Sequence, residues 1–142
     1  MEESDKQFIE KKLDNILKYR EELEPLFEFS DIDVKKDNLK LRTVELLVQL
    51  IADEMVDING YLIKKLGFPV PDDFQSTFRV LGENNVLEEG FTQKLAPIVG
   101  LRNRLVHRYE EIDLNLLLKV VREGRNDFKD YVKYISEFLN KN

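Results

Sequence analysis

Side chains that can do chemistry are concentrated in one short segment, residues 102–109, with the sequence RNRLVHRY. It contains Arg102, Arg104, Arg108, Tyr109 and the only histidine, His107, and no carboxylate follows until Glu110. An imidazole transfers protons near neutral pH, and a guanidinium binds phosphate. Metal-free RNA cleavage needs a base for the ribose 2′-hydroxyl, an acid for the leaving oxygen and a cation for the phosphorane. The segment is therefore a candidate for that chemistry.

The spacing within this segment limits how its side chains can act together. Arg102 and His107 are five residues apart, which places them roughly 140° apart around a regular helix. They do not converge unless the helix is distorted, the arginine reaches far or a second copy supplies the missing group. One histidine also fills only one proton-transfer role, so we expect an active site shared between two copies. Asn103, four residues before His107, is a helical neighbour that can orient the imidazole.

Arg102 occupies an unusual position on its helix. Apolar residues recur at helical spacing from Phe91 to Ile98, and the next position on this stripe is Arg102. A charge there must find a partner or face a wet groove, because an unpaired charge is costly to bury. Asp53 and Asp57 can reach it across a bundle, although residue type favours a solvated helix face for both carboxylates.

Composition limits the class of protein. The chain has 142 residues, 42% of them hydrophobic, which favours one domain over residues 1–142. A charged fraction of 35% with 6 Gly and 4 Pro favours long helices. There is no Cys, no apolar run of membrane-spanning length and no signal peptide pattern, so a soluble cytoplasmic protein is expected. The net charge of -6 argues against wrapping nucleic acid, but permits a small basic site with Arg104 and Arg108 as substrate-binding residues.

Hydrophobic periodicity predicts an all-α fold, an up-and-down bundle of four to five helices. The first expected helix is 4–24, with a capping box of Ser4 and Gln7, and the second is 38–66, which ends at Gly67. A short helix follows, which is capped by Asp72 or Asp73 and carries Phe74, Phe78 and Leu81. The next helix runs from near Glu88 through Tyr109 with a kink at Pro97 and Gly100, and the last one begins at Asp113. Residues 26–37 lack a period and are expected to form a connection with one helical turn.

Residue types alone leave simpler interpretations open. A single histidine near a helix end is more often a satisfied surface or core residue, and neighbouring arginines are more often an exposed face. The chain is then a non-catalytic helical module that binds nucleotide or a partner protein. A metal-dependent phosphohydrolase is disfavoured because one histidine and scattered carboxylates lack metal-ligand spacing. No metal or cofactor is expected.

The pattern Arg-x4-His-x-Tyr resembles the signature of the HEPN superfamily and, within it, the HepT toxin family. It is formed by Arg102, His107 and Tyr109, with Asn103 directly after the arginine. The length of the chain and the place of the pattern, late on the penultimate long helix, agree with the resemblance. The resemblance implies a helical-bundle homodimer that cuts RNA rather than DNA, without a metal, in the dimer cleft. It implies Arg102 and His107 as the catalytic pair and Asn103 in support.

The resemblance also implies a partner. HepT-like toxins are paired with a minimal nucleotidyltransferase antitoxin, which modifies the tyrosine of the pattern with AMP; that residue is Tyr109 here. An adenylate adds negative charge and bulk beside Arg102, where the RNA phosphate is expected to bind. From its residue type alone, Tyr109 is equally a core aromatic with its hydroxyl at the rim.

Overall fold

The computed structural model describes residues 1–107 and 112–142 of the chain. Those residues contain α1 (Glu3–Leu23), α2 (Asp31–Lys36), α3 (Asn38–Leu66), α4 (Gln75–Glu83), α5 (Glu89–His107) and α6 (Leu114–Lys141), and no strand. A 3-10 turn over Glu24–Glu28 joins α1 to α2. The all-α prediction is confirmed. The four long helices and the short α4 match the expected elements, and α2 lies in the connection where one helical turn was expected.

The four long helices run alternately up and down. Tyr61, near the end of α3, donates a hydrogen bond to Asp5 at the start of α1, so these helices are antiparallel. Tyr134 of α6 donates a 2.6 Å hydrogen bond to Glu88, directly before α5, so α5 and α6 are antiparallel too. α3 packs against both α1 and α5 and is the central helix. Among the described residues, no helix is long and apolar enough to cross a membrane.

The ends of the helices follow side-chain chemistry. Asp37 accepts hydrogen bonds from the amides of Leu39 and Lys40 and so begins α3, and Gly67 ends that helix with a left-handed φ of 73°. Asp73 accepts a 2.7 Å hydrogen bond from the Ser76 amide before α4. The predicted stop at Gly67 is confirmed. Of the two predicted caps, Asp72 and Asp73, it is Asp73 that bonds the first turn of α4, although the N-cap position itself is Phe74.

The predicted capping box of Ser4 and Gln7 is wrong. α1 begins at Glu3, and the amide of Glu2 donates a 3.0 Å hydrogen bond to Asp5. Contacts with α3 explain the different start of α1, because Asp5 also accepts a hydrogen bond from Tyr61 and pairs with Lys65 at 3.5 Å. The Tyr61 hydroxyl holds the pKa of Asp5 below its ordinary value, so the carboxylate that caps α1 also ties it to α3.

The core surrounds α3. Six of its apolar side chains are wholly buried, namely Val48, Ile51, Ala52, Met55, Ile58 and Leu62. A buried polar network lies beside them: Asn59 donates to Thr77 at 3.0 Å and accepts from the Tyr131 hydroxyl at 2.6 Å. Each buried polar group thereby has a partner, as low-dielectric surroundings require. The network joins α3, α4 and α6, and it holds the base of α4 in place.

Candidate functional site

Arg102 lies on the last two turns of α5, and its guanidinium is held on three sides. Its Nε donates to Asp53 Oδ1 of α3 at 2.6 Å, and its Nη1 donates to Asn103 Oδ1 at 3.0 Å. The guanidinium carbon lies 5.7 Å from the ring centroid of Phe74, within the range of cation–π attraction. The arginine on the apolar stripe thus has the charged partner that its position demanded.

The two candidate carboxylates on α3 have different roles. Asp53, interpreted from residue type as part of a solvated face, is paired with Arg102, so that interpretation is wrong for Asp53. Asp57, one turn later, accepts a 3.0 Å hydrogen bond from Lys12 of α1 and lies outside the site. The difference is one of packing, because α3 presents Asp53 to α5 and Asp57 to α1. The solvated interpretation fits Asp57, whose side chain is 56% exposed.

The C-terminal part of α5 forms one wall of a groove. Arg102, Asn103, Val106 and His107 line it together with residues of α3, α4 and the connection between those helices. The structure therefore brings Arg102, Asn103 and His107 to one cavity of about 760 Å³, a volume within the usual range of ligand sites. A guanidinium and an imidazole in one groove can bind a phosphate and transfer a proton beside it.

Asn103 contacts the arginine. Its side-chain oxygen accepts from Arg102, and with Asp53 it engages two of the five N–H groups of the guanidinium. Within the described residues, three N–H groups then remain to bind an anion. The predicted role of Asn103 in orienting His107 stays a prediction.

The remaining residues of the basic segment are placed differently. Arg104 is exposed, two residues after Arg102, which puts it roughly 200° round the helix from it. It is not among the residues that line the groove, so a role in binding substrate requires an extended surface. Arg108 and Tyr109 lie outside the described residues, and their predicted roles stay predictions.

A contact from α4 fixes α5 just before Arg102. α5 continues through Pro97, which has no amide hydrogen, and Gln75 Nε2 donates a 3.1 Å hydrogen bond to the carbonyl of Ala96. A Cβ on Gly100 would lie 2.8 Å from Gln75 Nε2, so the glycine makes room for this side chain. The start of α4 is thereby tied to α5 next to the groove.

Sequence reasoning missed three features of the site. It assigned Phe74 to α4, but the helix begins at Gln75, and Phe74 is 48% exposed and lines the groove. It did not single out Gly60, which also lines the groove, on the exposed side of α3. It also did not decide whether Asp53 pairs with Arg102 or lies on a solvated helix face. Of these three, Gly60 had a signal in the sequence: a glycine inside a strong helix pattern destabilises the helix by about 1 kcal/mol relative to alanine, so its presence there needs a reason.

Known proteins resemble the chain over most of its length. A protein of Aphanizomenon flos-aquae called tRNA nuclease HepT is 30% identical over 131 residues, covering 92% of this chain and 89% of that protein. A Shewanella oneidensis protein called mRNA nuclease HepT is 28% identical over 101 residues, covering 71% and 76%.

Solved structures show the same fold. A tri-AMPylated Shewanella oneidensis HEPN toxin in complex with an MNT antitoxin superimposes with a TM-score of 0.83 at 23% identity, covering 96% of this chain and 99% of that one. The family model of HepT-like ribonucleases matches residues 16–135. The chain therefore belongs to the HepT-like ribonuclease family.

Proposed function

We propose that this protein is a metal-independent endoribonuclease toxin that acts as a homodimer, with its active site in the cleft between two copies. The observation that carries the proposal is the groove that Arg102, Asn103 and His107 line together, with the guanidinium fixed by Asp53. Membership of the HepT-like ribonuclease family supports RNA as the substrate. The nuclease names of the relatives at 30% and 28% identity support the same substrate class.

The reaction divides between the two side chains. His107 removes the proton from the ribose 2′-hydroxyl, whose oxygen then forms a bond to the adjacent phosphorus. The bond from phosphorus to the 5′-oxygen breaks, and that oxygen takes a proton from an imidazolium. Arg102 neutralises the charge that develops on the phosphorane through the N–H groups that Asp53 and Asn103 do not engage. The products are a 2′,3′-cyclic phosphate and a 5′-hydroxyl.

Two proton transfers explain why two copies are proposed. The base that accepts the 2′ proton and the acid that protonates the leaving oxygen act on opposite sides of the phosphorus. A two-fold axis through the cleft supplies a second His107 and a second Arg102 for these roles. The groove is open and lies at the surface of a single copy, as a composite site requires.

Control by a minimal nucleotidyltransferase antitoxin is the second part of the proposal. The similarity to a HEPN toxin that is tri-AMPylated and bound to an MNT antitoxin supports it. Tyr109 follows Arg102 by seven residues in the sequence and is the tyrosine of the Arg-x4-His-x-Tyr pattern. AMP on Tyr109 is proposed to bring a phosphate that competes with the RNA phosphate for Arg102. Arg104 and Arg108 are proposed as further substrate contacts, and Arg104 makes one only with RNA that extends beyond the groove, since it does not line it.

RNA cleavage in the presence of EDTA tests the ribonuclease proposal directly. Purified protein is expected to convert single-stranded RNA to fragments ending in a 2′,3′-cyclic phosphate, with no added metal. A matched RNA with one 2′-deoxyribose at the cut site is expected to stay whole there, because it lacks the attacking hydroxyl. Cleavage of that deoxy position, or dependence on added metal, contradicts the mechanism.

The pair Asp53 and Asp57 provides matched variants for the same assay. Asp53→Ala is expected to lower kcat about 10- to 100-fold, since a guanidinium displaced by about 1 Å costs catalysis on that scale. Asp53→Asn keeps an oxygen acceptor for Arg102 and is expected to recover much of the loss. Asp57→Ala, one turn away, is expected to leave kcat within twofold. Equal effects of the two alanine variants would remove Asp53 as a positioning residue.

A further inference from the structure

The groove has an apolar floor that the chemistry of Arg102 and His107 does not use. Val56, Gly60 and Ile63 of α3 line it, with Val70, Phe74 and Val106 around them. Val70 and Phe74 are among the most exposed large apolar side chains of the chain, at 79% and 48%. A phosphate backbone needs cations rather than such a surface, so this part of the groove is built for something else.

Phe74 is placed to receive a flat ring next to a bound phosphate. Its ring faces the Arg102 guanidinium at 5.7 Å, so a phosphate on Arg102 lies beside it. A nucleobase is joined to its phosphate through one sugar, and unpaired bases of RNA stack on exposed aromatic side chains. The backbone at Phe74 is fixed, because its carbonyl accepts hydrogen bonds from the amide and the hydroxyl of Thr77.

Gly60 gives the groove the depth that a base needs. It lies on the exposed side of α3, and nothing stands within 4 Å of the position where a Cβ would be. From Val56 to Lys64, α3 runs along the groove for about 12 Å at the usual helical rise. A glycine in the middle of a helix is unfavourable by itself, and here it opens the floor to close approach by a ligand.

The charges of the groove set the orientation of the ligand. Arg102, His107 and Lys64 can contact phosphate, whereas Asp72 and Asp73 bring carboxylates to the same groove. The Ser76 amide holds the pKa of Asp73 below its ordinary value, so this carboxylate stays ionised. Carboxylates repel a phosphate but accept hydrogen bonds from the N–H groups of a base.

We propose that the apolar floor around Phe74 and Gly60 is a pocket for one unpaired nucleobase of single-stranded RNA, next to the phosphate bound by Arg102. This inference rests on the proposed ribonuclease function and adds a substrate class to it. Double-stranded RNA keeps its bases stacked inside the helix and cannot fill the pocket. The cut is therefore made at an unpaired nucleotide.

The test measures binding in a His107→Ala background, so that RNA stays whole. Phe74→Leu keeps an apolar side chain but removes the ring, and it is expected to weaken binding of a short single-stranded RNA on the order of tenfold. Phe74→Tyr keeps the ring and is expected to restore binding. Phe29→Leu is the matched control, because Phe29 is also half-exposed, at 40%, and does not line the groove.

Abasic substitution identifies the base. RNAs that lack one base at successive positions are compared, and at one position beside the cut the Phe74→Leu effect is expected to disappear. Unchanged affinity in Phe74→Leu, or the same loss for every abasic RNA, overturns the pocket alone. Dissociation of a dimer in Phe74→Leu assigns the floor to a second copy and overturns it too. If the His107→Ala protein binds no RNA with Phe74 in place, the ribonuclease proposal itself fails.

Discussion

RNA cleavage is expected to fall about 100- to 1,000-fold in Arg102→Ala, because the phosphorane loses a positioned cation. In His107→Ala it is expected to fall roughly 100- to 10,000-fold, the scale of a general acid or base. Growth inhibition is expected to disappear with cleavage in both variants. The initial rate of fragment formation on a defined RNA measures these losses.

Controls separate catalysis from folding. Arg102→Ala leaves Asp53 without its partner, so Arg102→Ala/Asp53→Ala removes both charges and should be folded and equally inactive. Arg79→Ala removes an exposed arginine that pairs with Glu83 on α4 and does not line the groove, and it is expected to cleave normally. Circular dichroism and size exclusion report whether each variant folds and assembles.

The same variants decide between an enzyme and a binding module. An enzyme with His107→Ala loses cleavage but keeps most of its RNA affinity, since Arg102 still holds the phosphate. If the unaltered protein binds RNA and produces no new ends, the non-catalytic interpretation is correct. Full cleavage by both Arg102→Ala and His107→Ala would place the active site elsewhere.

Modification of Tyr109 is the second prediction with a large effect. Incubation with the partner nucleotidyltransferase and ATP is expected to raise the mass of the peptide bearing Tyr109 by one or more AMP groups. RNA cleavage by the modified protein is expected to fall to the level of Arg102→Ala, because the added phosphate competes for the same guanidinium. Mass spectrometry and the cleavage assay measure the two effects on one sample.

Tyr109→Phe is the control for this modification. It lacks the hydroxyl that accepts AMP, so it is expected to keep its activity after incubation with the nucleotidyltransferase and ATP. An unchanged peptide mass in the unaltered protein removes the regulatory part of the proposal. A modified protein that cleaves at the full rate removes the mechanism of charge and bulk, but leaves the ribonuclease proposal in place.

The sequence predicted the helices well because their signals are local. α3 shows one apolar stripe over 29 residues and ends at a glycine, so its predicted range, 38–66, matches the structure. Asp72 and Asp73 were both predicted as caps of α4, and Asp73 bonds the Ser76 amide in its first turn. α1 was placed one residue too late, since its first turn is fixed by Asp5 through Tyr61 and Lys65, more than 50 residues away.

The site was predictable in part. The spacing of Arg102, Asn103 and His107 on one short helical segment predicted a candidate site at the end of α5, and the structure places all three residues in one groove. The sequence could not decide which aspartate pairs with Arg102, because Asp53 and Asp57 are the same residue type one turn apart. The packing of the helices decides it: α1 brings Lys12 to Asp57, and α5 brings Arg102 to Asp53. Phe74 was misplaced because its exposure depends on where α4 begins, a boundary that periodicity leaves uncertain by a residue or more.

A mixed dimer tests the central claim, that the active site is shared, most directly. One protomer is unaltered and its partner carries Arg102→Ala and His107→Ala, and differently tagged copies allow the mixed species to be purified. A shared cleft then lacks one histidine and one arginine, so its cleavage rate is expected to be at least about tenfold below that of the unaltered dimer. A mixed dimer with about half the full rate, or a fully active monomer, would show that each copy has a complete site of its own.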